Sequence, residues 1–339
     1  MVERLPAWTR HETLALLAIV TAFVALAAQY ARVTPPFEAA DEGAHFLYVH
    51  HLLTDRELPV IVDRATLQQQ TDPARFWAIE AHQPPLYYAL GALLIAGTDR
   101  SDLPAYLRSN DLIFIRGTTA ANPNQWLHAP ERATAQTGLA IAVLRGYSIA
   151  LGALTLIFVF LAAREAFPGT PVPPLAALLV ALIPTFLSIN ASINNDNLVT
   201  TLYSAGLWLT LRLLRREHIP TSEAVALGLV LAAIALTKVN GLSLFGVVGA
   251  ALIYRLWRGD LPLREVLRFG VVAGGMVALL AGWWYARNLS LYGDPLALAA
   301  TQSLWGRAFE IAPTSGDPLA ELWRVYRSFW MMTGYLAPA

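Results

Sequence analysis

Long apolar runs alternate with short polar breaks along the chain, and the first run, TLALLAIVTAFVALAAQY (13–30), is of bilayer length. A hydrocarbon core of about 30 Å takes roughly 20 apolar residues as a helix. The run also exceeds the apolar core of a secretion signal, so it predicts a retained span. Six more apolar segments follow near 139–163, 174–190, 198–214, 223–237, 240–256 and 267–286. The stretch 31–138 is too polar to cross a membrane and is broken by Pro-Pro at 35–36 and 84–85. Its apolar piece, LYYALGALLIAG (86–97), is too short to span and predicts a helix lying along the interface. The pattern therefore predicts an all-α integral membrane protein of about seven transmembrane helices, with a long extracytoplasmic first loop carrying interfacial helices. It divides the chain into an N-terminus and first span (1–30), a loop (31–138), a six-span bundle (139–286) and an aromatic-rich tail (287–339). In the tail, Asp317-Pro318 marks a helix start. Leu319, Leu322, Trp323, Tyr326, Phe329 and Trp330 then recur at helical spacing, the pattern of an interfacial helix.

Composition agrees with this reading. Of 339 residues, 56% are hydrophobic and 14% charged, against about 25% charged in a soluble domain. The absence of cysteine excludes disulfides and thiolate chemistry. A formal net charge of zero offers no reason to expect nucleic acid as a partner. Orientation follows from basic residues in short loops. With the N-terminus inside, the inner segments hold Arg4, Arg10, Arg164, Arg212, Arg215, Arg216, Arg255, Arg258, Arg264 and Arg268, while the short outer turns hold only Lys238. The loop 31–138, the turn 191–197, Lys238 and the tail then share the outer face.

Candidate chemistry gathers on that face. FEAADEGAHFLYVHHL (37–52) holds three acids and three histidines. Adjacent Asp41 and Glu42 would point about 100° apart on a helix, so they do not make a paired-carboxylate site unaided. Glu42 and His45 share a helical face and are candidates for holding a divalent metal ion; His50 and His51 read as surface. The competing reading is a solvated helix start with its acids set against the dipole. In EAHQPPLYY (80–88), Glu80, His82 and Gln83 precede the prolines, and Tyr87 follows them. The turn in INASINNDNL (189–198) carries Asn195 and Asp196, residue types that turns favour for backbone reasons alone. Lys238, the single lysine, sits in ALTKVNG (235–241) between two apolar segments. A lone cation at that depth either holds a lipid phosphate as a point charge or snorkels to the interface. Arg145, inside an apolar run, poses the same choice. In GWWYARNLSLYGDP (282–295), interfacial aromatics precede Arg287.

Taken in order, DEGAH, QPPLYY, NNDN, LTKVNG and GWWYARNLSLYGDP resemble the GT-C superfamily of membrane glycosyltransferases. The likeness is to the family 39-like, protein mannosyltransferase-like and aminoarabinose transferase-like members, over residues 35–295. The resemblance implies an inverting transferase in a bacterial plasma membrane. Such an enzyme moves a hexosyl or pentosyl group from a polyprenyl-phosphate donor to a hydroxyl on a lipid, glycan or protein acceptor at the outer face. On that reading Asp41 and Glu42 are catalytic, with Asp41 as general base. His45, Gln83, Tyr87, Asn195, Asp196, Lys238, Arg287 and Arg145 bind substrate, the cations steadying the departing lipid phosphate. Glu42 and His45 either orient Asp41 or help hold a divalent metal ion, and the resemblance implies no other cofactor. Members of this superfamily usually carry further spans and often a soluble C-terminal domain, so the chain reads as a truncated or minimal member. Two alternatives stand beside this reading: a transporter or flippase of lipid-linked sugars, and a non-catalytic truncated homologue.

Overall fold

The computed structural model describes residues 7–110, 124–128, 136–305, 317–330, 332–333 and 337–338. Helix α1 (Arg10–Val33) starts at a reciprocal cap: Glu12 N–H donates to Thr9 Oγ1 (3.1 Å) and Thr9 N–H donates to Glu12 Oε2 (2.8 Å). The first loop then folds as α2 (Glu42–Thr54), α3 (Arg64–Gln68), a 3-10 helix (Pro73–Glu80), α4 (Leu86–Ile95) and α5 (Leu103–Tyr106). Helix α6 (Gln136–Ala166) is the longest element. Helices α7 (Val172–Ala181) and α8 (Pro184–Asn190) form a pair bent by 66°. Pro184 sits at the break, where its missing N–H and its ring end the preceding helix. Next come α9 (Asp196–Arg215), α10 (Thr221–Ala235), a 3-10 turn (Val239–Leu242), α11 (Ser243–Trp257) and α12 (Leu263–Tyr292). Helices α13 (Leu298–Trp305) and α14 (Pro318–Trp330) follow, and a two-residue antiparallel pairing joins Met332–Thr333 to Ala337–Pro338.

Helices thus occupy each of the seven predicted segments. Four stretches are long and apolar enough to cross a membrane: α1, α6, Val239–Trp257 and α12; the bent pair makes five if it is one span. Helix α9 carries Asp196 at one end and Arg212 and Arg215 at the other, and α10 has only 15 residues. Length and composition alone therefore do not give seven. On α12, Leu267, Val271 and Leu279 are 60–76% exposed. Such a surface is costly in water and natural against lipid.

Helix α2 is packed inside the protein rather than solvated at its start. Residues 42–49 are all buried, because the helix packs on the 3-10 helix, α4 and α6. Helix α4 divides its faces, with Tyr88 buried on α2, Tyr87 buried on α6 and Leu93 76% exposed. In α14, Leu319, Leu322, Trp323, Tyr326, Phe329 and Trp330 are all exposed, an apolar stripe at the expected spacing.

Close helix approach relies on small residues. A Cβ at Gly228 of α10 would stand 2.8 Å from the Ala273 Cα of α12, where only backbone movement makes room. Gly228→Ala is expected to destabilise the bundle by about 1–3 kcal/mol. Gly246→Ala, with nothing within 4 Å of its added carbon, is expected to be neutral or slightly stabilising. Unfolding of the two variants in detergent, followed by circular dichroism, checks the contrast; equal effects would contradict the packing.

Candidate active site

Glu42 is 0% exposed, at the first turn of α2. Such a carboxylate needs nearly every lone pair satisfied. Arg145 of α6 supplies two donors, Nε to Oε1 (2.7 Å) and Nη2 to Oε2 (2.6 Å), a bidentate fork. Phe37 N–H adds a bond to Oε2 (3.0 Å) and Ile193 N–H one to Oε1 (3.1 Å). Arg145 spends its remaining donors on the carbonyls of Ala31 (2.6 Å), Thr34 (2.8 Å) and Pro35 (3.0 Å). This pair joins α1, α2, α6 and the turn before α9. Neither member has a free face for the roles the sequence suggested, Glu42 in catalysis or metal binding and Arg145 on a lipid phosphate.

Asp41 is oriented differently. Its backbone lies in the left-handed region (φ 58°), which Asp tolerates better than most residues, and it makes no side-chain cap bond to α2. It is half-buried, and burial raises its pKa from the ordinary value, with Lys238 opposing and Asp196 adding to the rise. Lys238 Nζ donates to Asp196 Oδ1 at 2.7 Å and to Asn195 Oδ1 at 3.4 Å. The Lys238 side chain keeps 22% of its surface exposed. Asn195 Nδ2 donates to Thr237 O (3.5 Å), so the NNDN turn and the lysine segment hold each other.

The QPPLYY segment docks on the same place. Leu86 N–H donates to Leu236 O (2.8 Å), two residues before Lys238. Tyr87 Oη accepts from Asn194 N–H (3.0 Å) and lies 3.2 Å from Ser148 Oγ, so it holds the turn. Gln83 is buried, and its Nε2 lies 3.0 Å from His82 Nε2. Burial drives His82 down to about 4, so it is neutral at physiological pH. His45 is also held neutral by burial, and its Nδ1 lies 2.8 Å from Tyr88 Oη. Its ring nitrogen and the Glu42 carboxylate are thus both engaged away from any shared ion. No group of three or more His, Asp or Glu side chains with metal-binding geometry occurs among the described residues.

Glu80 was not picked out as a site residue from sequence, yet it joins this cluster. It is 4% exposed, at the end of the 3-10 helix. Burial pushes its carboxyl up to about 8, Asp41 adds to the rise and Lys238 opposes it. The one signal available was an acid among polar residues immediately before a Pro-Pro pair. Arg287 stands apart from the cluster: Nη2 donates to Leu58 O (3.2 Å) and Pro59 O (2.8 Å), and the guanidinium lies over Trp284 at 5.2 Å. It pins the loop to α12. His51, expected at the surface, is buried against Trp77 (ring centroids 4.1 Å apart). A cleft of about 900 Å³ opens between α1 and α6, lined by Ala28, Ala31, Pro35, Ile141 and Arg145 among others.

Comparison with known proteins bears on the family and the fold. The model of the dolichyl-phosphate-mannose-protein mannosyltransferase family matches residues 133–285. No curated protein sequence matches the chain. Among solved structures, the protein O-mannosyltransferase complex of S. cerevisiae bound to its sugar donor is 17% identical with a TM-score of 0.54, covering 84% of this chain and 35% of that one. The apo oligosaccharyltransferase of Archaeoglobus fulgidus is 15% identical at a TM-score of 0.43, over 96% of this chain and 40% of that one. The resemblance to the GT-C membrane glycosyltransferases is thus borne out by the family match, and the yeast structure shares the fold. The chain spans about a third of the length of that yeast protein.

Removing one partner of the buried pair strands the other. Arg145→Leu is expected to cost about 3–5 kcal/mol. Arg145→Lys should recover little of it, since an ammonium does not reproduce the bidentate fork. The double variant Glu42→Leu/Arg145→Leu should be less damaged than the sum of the two singles, because no unpaired charge remains. Detergent unfolding curves for the four proteins measure the coupling; strict additivity would show that the pair is not coupled.

Proposed function

We propose that the chain is the core of an inverting glycosyltransferase that takes a sugar from a polyprenyl-phosphate donor at the outer face of a bacterial plasma membrane. The observation that carries this reading is the division between two adjacent carboxylates. Glu42 is locked by four donors, while Asp41 makes no cap bond and feels the charges of Lys238 and Asp196. A base must be within reach of the proton it takes, and Asp41 is the acid left available.

In the reaction, the acceptor hydroxyl oxygen attacks the anomeric carbon from the face opposite the phosphate. Its proton passes to the Asp41 carboxylate. The bond between the anomeric carbon and the phosphate oxygen breaks, its electron pair leaves with the lipid phosphate, and the sugar inverts. Charge grows on phosphate oxygens, and Lys238 is the cation placed to meet it. Asp196 and Asn195 hold that ammonium in place; Tyr87 and Gln83 shape the wall. Arg287 keeps the loop closed over α12 rather than contacting phosphate. The donor's tail would stay in the bilayer while its sugar meets the acceptor, which is a lipid, glycan or protein hydroxyl.

Purified protein in lipid vesicles, given radiolabelled sugar on polyprenyl phosphate, tests the reading. Asp41→Asn is expected to lower transfer by about 10²–10⁴-fold, the usual share of a general base, with unfolding behaviour unchanged. Unaltered turnover in that variant would remove Asp41 as the base. Passage of intact donor across the vesicle with no transfer would replace the enzyme by a carrier.

A further inference from the structure

Glu80 has no place in the mechanism above, yet its position is unusual for an acid. It is 4% exposed and ends the 3-10 helix Pro73–Glu80, where the backbone carbonyl end disfavours negative charge. Its own carbonyl accepts from Gln83 N–H (2.9 Å), which turns the chain toward the prolines. Leu86 N–H on Leu236 O then presses this segment against the lysine turn. The charged and titratable groups acting on its carboxyl are Asp41 at the start of α2, Asp196 at the start of α9 and Lys238 after α10. Tyr48 of α2 and Tyr88 of α4 face it as well, stacked on each other at 3.7 Å between ring centroids. Lys238 is already engaged by Asp196 at 2.7 Å. One ammonium therefore serves a neighbourhood of three carboxyl groups.

We infer that Glu80 is a positioning residue for the transferase reaction, standing protonated beside Asp41 so that Asp41 carries the negative charge of the base. The inference rests on the transferase reading and deepens it. With both carboxyls ionised, Asp41 and Glu80 would repel each other and the donor phosphate, and Lys238 would be divided among them. With Glu80 neutral, its volume remains and the repulsion vanishes.

The sign of the pH dependence follows. Glu80 loses its proton as pH rises through about 8. Transfer is then expected to fall on the alkaline side, by about tenfold per pH unit if one ionisation controls it. Glu80→Gln cannot ionise, so it should keep neutral-pH turnover close to wild type and lose that alkaline limb. Glu80→Ala, which removes volume and hydrogen bond together, should be impaired at every pH. Infrared absorption of the unliganded protein supplies a readout without turnover. A protonated-carboxyl band should be present at neutral pH, titrate near the limb and be missing in Glu80→Gln.

An unchanged alkaline limb in Glu80→Gln, with Asp41→Asn inactive, would overturn the inference and leave the transferase reading intact. So would absence of the band. Loss of turnover in Glu80→Gln as deep as in Asp41→Asn would make Glu80 the base itself and overturn the assignment. A band that behaves as described in a protein that transfers no sugar would instead overturn the transferase reading, and with it this role.

Discussion

Everything near the site depends on one buried ion pair, Glu42 with Arg145. Taking two charges out of water costs several kcal/mol each, roughly, and their attraction repays this only with good geometry and all remaining donors and acceptors met. Here the requirement is met from four parts of the chain. Phe37 and Ile193 complete the carboxylate, and the carbonyls of Ala31, Thr34 and Pro35 complete the guanidinium. The same guanidinium satisfies carbonyls at the end of α1, which has no intrahelical donors left for them. The end of the first span, the start of the loop, the middle of α6 and the turn before α9 can only be in register together.

That constraint explains the behaviour of the neighbouring acid. Glu42 must face inward, so the chain enters α2 through a left-handed residue, and Asp41 is the residue that takes it. Asp is among the few side chains that adopt this conformation at modest cost. Strained backbone of this kind persists where surrounding contacts over-determine it. The result is two adjacent carboxylates in opposite roles, one inert because it is saturated and one available.

The bundle sorts its charges by end. Asp41, Glu80, Asp196, Lys238 and Arg287 belong to the end reached by the C-terminus of α1, the N-terminus of α9 and the C-terminus of α12. At the other end, Arg164 lies 3.4 Å from Glu12 and over Trp8, and Arg212 donates to Glu223 at 2.9 Å. Arg255 donates to Leu213 O and Arg268 to Ile219 O. These arginines bind helix ends and acids, so the basic residues of that end have a structural role. The apolar flanks between the two ends carry exposed Leu and Val, a surface that lipid and not water stabilises.

Sequence alone determined the class: apolar runs of bilayer length, few charges and no cysteine leave a helical membrane protein, and the order of short polar motifs pointed to the superfamily. It also located Asp41, Asn195, Asp196 and Lys238, because ionisable or polar residues at membrane depth are costly and stand out. Tertiary structure alone decided what each contacts. That Glu42 and Arg145 are partners spans more than a hundred residues of chain and has no local signature. Arg287 reads as a phosphate ligand until its fork is seen on Leu58 and Pro59 carbonyls. Glu80 reads as a loop acid until its burial is known. The reason is general: hydropathy is a property of each residue in turn, whereas the partner that saturates or frees a charge comes from elsewhere in the chain, so only the folded arrangement separates an acid saturated by donors from one left open.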